Sequence, residues 1–382
     1  MNIVSYIMAG IALLAAFDRI IGNKIGLGEE FEKGIQLTGT CVLSMVGLIV
    51  FAPLLARLIT PITEKMNGSF DPSVLPALFF ANDLGGASLS MAIANNAVLG
   101  KFNGLVAASM MGCTVSFTIP YFLGAVKKEY HKDIFLGILC GIVTIPIGFI
   151  LGGLCVGINF LILLINAIPL FIVAAIVAFG VLKAPNVSTK IFSIIGIGIK
   201  ILITVGLAVA IFEFLTGIKL IPYTGTLQDG MDVVISVTCV LAGAFPLIKL
   251  LSRILRKPLK KIGDKSGLNE TSALGFFSTL AAPVTTFGLA EKMDRKGIIL
   301  NSAFSVSASC LIADHLAYTL AIDGTYLLSL FVAKLTAAVA AIFLAVFVYK
   351  KTQPKQAETQ ESNTVTDEQA QNDDIERDIS DD

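Results

Sequence analysis

Eleven apolar stretches, each about long enough to cross a membrane, follow one another with almost nothing between them. No other property of the chain constrains its fold as much. They cover roughly residues 3–21, 35–60, 72–98, 103–125, 133–156, 159–182, 189–216, 231–255, 267–291, 297–321 and 325–349. A bilayer core of ~30 Å is crossed by about 20 helical residues. In lipid every backbone N–H and C=O must find a partner inside the protein, so runs of this length have to be helices. The connections are short, marked by Gly, Pro, Asn or charge, and none has room for a soluble domain. With 55% hydrophobic and 15% charged residues and a mean hydropathy of +0.82, the chain has too little polar surface for a water-soluble globule. The expectation is an all-α polytopic membrane protein. Met1 to Ile21 lacks a basic leading region and a small-residue cleavage site, so it reads as the first span.

The balanced formal charge conceals a division. From Thr352 onward ten acids stand against Lys355 and Arg377, so residues 351–382 read as a disordered acidic tail behind a basic membrane domain at 1–350. All six cysteines (Cys41, Cys113, Cys140, Cys155, Cys239, Cys310) lie in apolar runs without a C-x-x-C pair, which fits packing residues better than disulfides or metal ligands.

An internal repeat organises the eleven segments. Ala16-Phe17-Asp18 is echoed by Ile211-Phe212-Glu213, and Thr40-Cys41-Val42-Leu43 by Thr238-Cys239-Val240-Leu241. Phe79-Phe80 recurs as Phe276-Phe277, Ser109 as Ser302 and Thr144 as Thr336, all in the same order. Segments 1–5 (repeat 1, about 1–157) thus resemble segments 7–11 (repeat 2, about 187–350), with a linker helix at 158–183 between them. If all eleven segments crossed, Lys and Arg would divide 11 to 13 between the two sides, without bias. If segments 3 and 9 enter and leave on one side, 20 gather inside against Arg57, Lys65, Lys101 and Lys219 outside. A re-entrant segment 9 alone gives nearly the same bias, and the repeat argues that segment 3 behaves likewise. The expected architecture is an inverted repeat of two five-segment halves, with segments 3 and 9 as re-entrant or broken hairpins and the tail in the cytoplasm.

Within segment 3, Asn82 and Asp83 followed by Gly85 and Gly86 place an amide, a carboxylate and two poor helix formers in an apolar run. An intramembrane carboxylate costs roughly 2.5–3.5 kcal/mol on insertion scales and marks a functional position by default. Asp83 could cap the second hairpin arm, bind a cationic ligand, or do both. The matching stretch of segment 9 has Thr279 and Pro283 but no acid. Asp314 and His315 in segment 10 could bind a cation or pass a proton, or form a pair satisfied by neighbouring backbone. Asn301 and Ser302 could line the same path or join helices. Phe79 or Phe80 could offer a cation–π face. Lys200 and Lys334, inside segments 7 and 11, are rival partners for Asp83 or Asp314. The small-residue run from Gly148 to Gly157 reads as a close-packing surface. No nucleotide loop, zinc motif, haem motif or dinucleotide fingerprint is present, so neither an enzyme, a cofactor, a bound metal nor a nucleic-acid partner is expected.

Five local motifs, in order, resemble the ethanolamine utilisation permease family (EutH). They are Asn82-Asp83-Leu84-Gly85-Gly86, Val143-Thr144-Ile145-Pro146-Ile147-Gly148, Thr238-Cys239-Val240-Leu241-Ala242-Gly243-Ala244-Phe245-Pro246, Met293-Asp294-Arg295-Lys296-Gly297 and Ala313-Asp314-His315-Leu316. The resemblance covers segments 1 to 11 and implies multi-pass uptake of ethanolamine across a bacterial inner membrane, feeding its breakdown. Ethanolamine, a small ammonium with one hydroxyl, would want a carboxylate and a polar partner. The substrate-contact candidates are therefore Phe79, Asn82, Asp83, Gly85, Gly86, Thr279, Asn301, Ser302, Asp314 and His315. Alternating access would move one repeat against the other. Coupling to H⁺ or Na⁺, facilitated diffusion, self-association, transport of another small amine or amino acid, and a non-transporting membrane sensor all stay open.

Overall fold

The computed structural model describes residues 3–64 and 70–352, all helical or in turns, with no β-strand among them. The described residues up to Ala345 form one compact unit, and Val346–Thr352 fall outside it. The acidic tail lies outside the described residues from 353 on. Among the described residues, eight helical stretches are long and apolar enough to cross a membrane. The chain is thus an all-helical, polytopic membrane protein.

The elements in order are α1 (Ile3–Ile20) and α2 (Gly28–Thr63), then a broken stretch of α3 (Val74–Phe79) and α4 (Ala87–Ile93). Next come α5 (Ala97–Ala125), α6 (Lys128–Cys155), α7 (Phe160–Lys183), α8 (Pro185–Thr216) and α9 (Leu227–Ser266). A second broken stretch, α10 (Glu270–Ala281) and α11 (Pro283–Gly288), precedes α12 (Arg295–Ala308), α13 (Asp314–Asp323) and α14 (Leu327–Thr352). Short polar side chains start several of these helices by accepting otherwise unpaired N–H groups. Asn96 caps α5, Asn159 caps α7, and Asp294 caps α12. Thr226 and Asp229 form a reciprocal capping box on α9.

The two broken stretches each close on themselves at the base. In the first, Asp71 accepts from the Asn96 N–H at 2.9 Å and from the Ser73 N–H and hydroxyl. In the second, Asp294 accepts from the Asn269 N–H at 3.0 Å, the Ser272 hydroxyl at 2.6 Å and the Gly297 N–H at 3.0 Å. An aspartate thus joins the first and last residues of each hairpin, at the start in one and at the end in the other. The first base adjoins the start of α5. The second adjoins its far end, where Lys127 pairs with Glu291 at 2.9 Å. The 29 residues of α5 put those ends ~43 Å apart.

Matching positions in the two halves make matching contacts elsewhere. Asp18 accepts from the N–H groups of Ile25, Leu27 and Gly28, tying down the loop after α1. Glu213 does the same for the loop after α8, through Leu220 and Ile221. Gly47 of α2 abuts the backbone of Ile203 in α8, while Gly243 of α9 abuts the backbone of Met8 in α1. Small residues let helix backbones approach this closely without a hydrophobic driving force.

Segment 10 departs from its expected form as one continuous span. It unwinds at Ser309–Ala313, with Cys310 left-handed at φ 55°. Ser305 and Ser309 bond back to carbonyls of their own helix, an interaction that bends helices. The freed Cys310 and Ile312 N–H groups donate to the Thr279 and Leu280 carbonyls at 3.1 and 3.0 Å, so the end of α10 completes the break. Asp314 therefore begins a new helix rather than sitting inside an old one. The chain then turns back at Asp323. In one rod, Lys334 and His315 would lie ~28 Å apart, yet Lys334 Nζ is 2.9 Å from His315 Nδ1.

Candidate functional site

The break in the first hairpin is set by its glycines. Phe80 and Ala81 are extended, Gly85 takes φ 84°, and the chain then resumes as α4. A Cβ on Gly85 would overlap Leu48, and one on Gly86 would overlap the Phe80 and Ala81 carbonyls. Only glycine meets both demands at this turn. The turn projects Asp83 into a cavity of about 180 Å³. Across that cavity, the break in segment 10 contributes Cys310, Asp314 and His315. Leu37, Thr40, Cys41, Ser44 and Met45 of α2 form a third wall, and Cys113 and Phe117 of α5 a fourth. The α2 and α5 walls run through wide π-helical turns at Val42–Val46, Asn103–Gly112 and Thr114–Thr118, a feature frequent at functional sites.

Two carboxylates thus share one small cavity. Among the described residues neither Asp83 nor Asp314 enters a salt bridge. The intramembrane lysines that could have paired with them lie elsewhere. Lys334 is fully buried and donates to the Ser109 carbonyl at 2.8 Å and to His315 Nδ1. An ammonium can only donate, so His315 Nδ1 accepts and the ring proton sits on Nε2. Lys200 is exposed on α8, and Lys249 lies 3.4 Å from Glu30. Counted at formal charge, the two partly exposed acids and the buried Lys334 leave a net −1 around the cavity.

The other candidates fall in different places. Asn82 is fully buried beside Asp83, and neither its amide oxygen nor its nitrogen has a hydrogen-bond partner. Phe79 is 41% exposed on the outer face of α3 and does not line the cavity, whose ring is supplied by Phe117. Thr279 is buried within the second hairpin, bonded to the Gly275 carbonyl and the Thr286 hydroxyl. Asn301 holds α12 to the second hairpin through the Ser272 carbonyl at 2.8 Å. Asn301 and Ser302 line a separate void of about 10 Å³, room for about one water. The structure therefore gathers Asp83, Asp314 and His315 around one space and assigns Thr279 and Asn301 to holding the hairpin. Sequence reasoning missed Thr40, Ser44 and Phe117, which carry no signal until the helices are placed. It took Cys41, Cys113 and Cys310 as packing residues; all three are buried free thiols, and they also line the cavity.

A polytopic helical membrane protein whose interrupted helices enclose an acidic cavity is the class this fold and site define. Residues 1–348 match the family described as "Ethanolamine utilisation protein, EutH", and the chain belongs to that family. A Listeria monocytogenes protein named "Probable ethanolamine permease EutH" is 38% identical over 356 residues, covering 93% of this chain and 95% of the relative. Proteins of the same name from Salmonella typhimurium and Escherichia coli are each 35% identical, covering 94% and 92% of this chain and 98% and 96% of their own. No solved structure matches the chain.

Proposed function

We propose that this protein is an ethanolamine permease of a bacterial inner membrane, admitting the protonated amine by alternating access at the cavity between Asp83 and Asp314. The observation that carries the reading is the pair of carboxylates around one small space with no cationic side chain against either. A monocation would bring the local charge from −1 to zero, and the Thr40 and Ser44 hydroxyls could meet the substrate's own hydroxyl. The cavity is smaller than the roughly 300–1,000 Å³ of pockets for drug-sized ligands, which favours a substrate of a few heavy atoms. The names of the relatives support the same substrate.

The closed hairpin bases at opposite ends of α5, with the first break lining the cavity and the end of α10 bonded to the segment 10 break that also lines it, support opposed re-entrant hairpins in an inverted repeat. The cavity is walled by the part of α2 nearer Gly28, on the side where Arg19, Lys24, Lys33 and Arg253 gather. By the positive-inside rule that side is cytoplasmic, so the arrangement reads as inward-facing.

Uptake of labelled ethanolamine into proteoliposomes tests the proposal. Asp83→Asn and Asp314→Asn should each lower uptake by ~10-fold or more, as expected for loss of a charge partner at the binding cavity. Phe79→Ala, on the outer face, should leave it within about two-fold of the parent. Undiminished uptake in both Asn variants would refute the assignment.

A further inference from the structure

The two halves of the chain are not two bodies. Each half's first helix is locked to the other half: Gly243 of α9 holds α1 at Met8, and Gly47 of α2 holds α8 at Ile203. Gly34 of α2 likewise abuts the Ala242 backbone, and Thr38 and Thr238 bring their hydroxyls to 3.3 Å. These four helices, α1, α2, α8 and α9, interlock at backbone distance across the repeat boundary.

Helices α6, α12 and α14 do the same among themselves. Along α6, Gly137 and Gly141 meet α12 at Ile299 and Val306, while Gly148 and Gly152 meet Ala333 of α14. The Thr144 hydroxyl donates to the Ala337 carbonyl at 3.0 Å, and Ser329 to the Gly152 carbonyl at 2.7 Å. Ion pairs between Lys101 and Asp323 and between Arg295 and Asp133 close the two ends of this second set.

The seam between the sets differs in character. Its contacts are apolar side chains, such as Leu48 against Gly85 and Ala56 against Leu89 and Ile93. Polar bonds that cross it gather at the chain link around Ser266–Glu270, where Arg256 and Lys260 meet Glu270 and Lys296 meets the Ser266 carbonyl. The cavity lies on this seam. Its α2 wall belongs to one set, while Asp83, Cys113 and Asp314 belong to the other.

We infer that access alternates by sliding a core (both hairpins, α5, α6 and α12–α14), which carries Asp83 and Asp314 together, against a scaffold of α1, α2, α8 and α9. The halves of the repeat do not move against each other, because separating them would break backbone-level packing in both sets. Side-chain seams can shift between discrete arrangements at lower cost. This inference rests on the transport reading above.

Two double-cysteine variants of the full-length protein give opposite expectations for the two motions. Thr38→Cys with Thr238→Cys ties the halves together within the scaffold. Ala56→Cys with Leu89→Cys ties scaffold to core within one half. Each bridge is made by oxidation, or by a short bis-thiol linker where oxidation fails, and is verified by mass spectrometry of the joined peptides. Treated parent protein controls for the native thiols. Ethanolamine uptake in proteoliposomes should stay within about two-fold with the first bridge and fall ~10-fold or more with the second, recovering on cleavage of the bridge. Any other pattern in bridged protein that transports when reduced overturns the division into core and scaffold. Absence of uptake in the reduced and parent proteins would instead overturn the transport reading.

Discussion

Gly85 and Lys334 show how much a single residue can decide in this interior. Gly85 combines a left-handed backbone with direct contact on Leu48, whereas Gly217 is left-handed at φ 69° in open space. A left-handed L-residue costs about 1–2 kcal/mol. Gly217→Ala should lose about that much, and Gly85→Ala distinctly more, in thermal unfolding of detergent-solubilised protein; equal losses would contradict the Leu48 contact. Lys334 reads in sequence as a partner for an acid, but two of its three donors meet a carbonyl and an imidazole. Lys334→Met should leave Ser109 and His315 without their donor, at about 1–3 kcal/mol for a buried acceptor left unpaired. It should lower the melting temperature even where uptake is not measured. A variant as stable as the parent would mean that another group satisfies both acceptors.

At the scale of elements, the two hairpins hold their shape through one aspartate each. Asp71 and Asp294 accept three donors apiece and fasten the first residue of a hairpin to the last. Loss of such capping bonds typically costs about 0.5–2 kcal/mol. Asp71→Ala and Asp294→Ala should each destabilise by this order. The double variant should show the sum to within about 0.5 kcal/mol, because the sites are far apart and share no partner. A strongly non-additive result, read by denaturant or thermal unfolding, would indicate that the hairpins unfold as one unit. The break in segment 10 is a different device. There the serines loosen α12, and the end of α10 supplies the acceptors that make unwinding tolerable in an apolar setting.

For the molecule as a whole, the placement of the hairpin bases at opposite ends of α5 implies a sidedness that can be read chemically. Cysteines introduced at Lys101 and Lys265 should react with a membrane-impermeant maleimide from opposite sides, against the parent protein as background. Labelling of both from the same side would remove the opposed-hairpin arrangement and the inward-facing assignment with it. The core and scaffold make sense of where function sits. Glycines bring helix backbones together within each set, while those at the seam, such as Gly85 on Leu48 and Gly263 on Ala273, meet side chains, and the cavity and its acids lie there.

The sequence by itself determined the helical membrane class, most segment positions, the interruption at Gly85-Gly86 and the two acids worth testing. Those follow from local physics: backbone bonds that must close in lipid, glycines that cannot sustain a helix, and charges that apolar runs do not carry idly. The order of matching residues along the chain suggested a repeat, on which the proposed inverted arrangement still rests. Only the tertiary structure decided that Asp83 and Asp314 share a cavity, that Lys334 turns away to His315, that Phe117 rather than Phe79 lines the space, and that the halves interlock. Each of these depends on which helix faces lie against one another in space, and the period of an apolar run does not encode that when nearly every face is apolar.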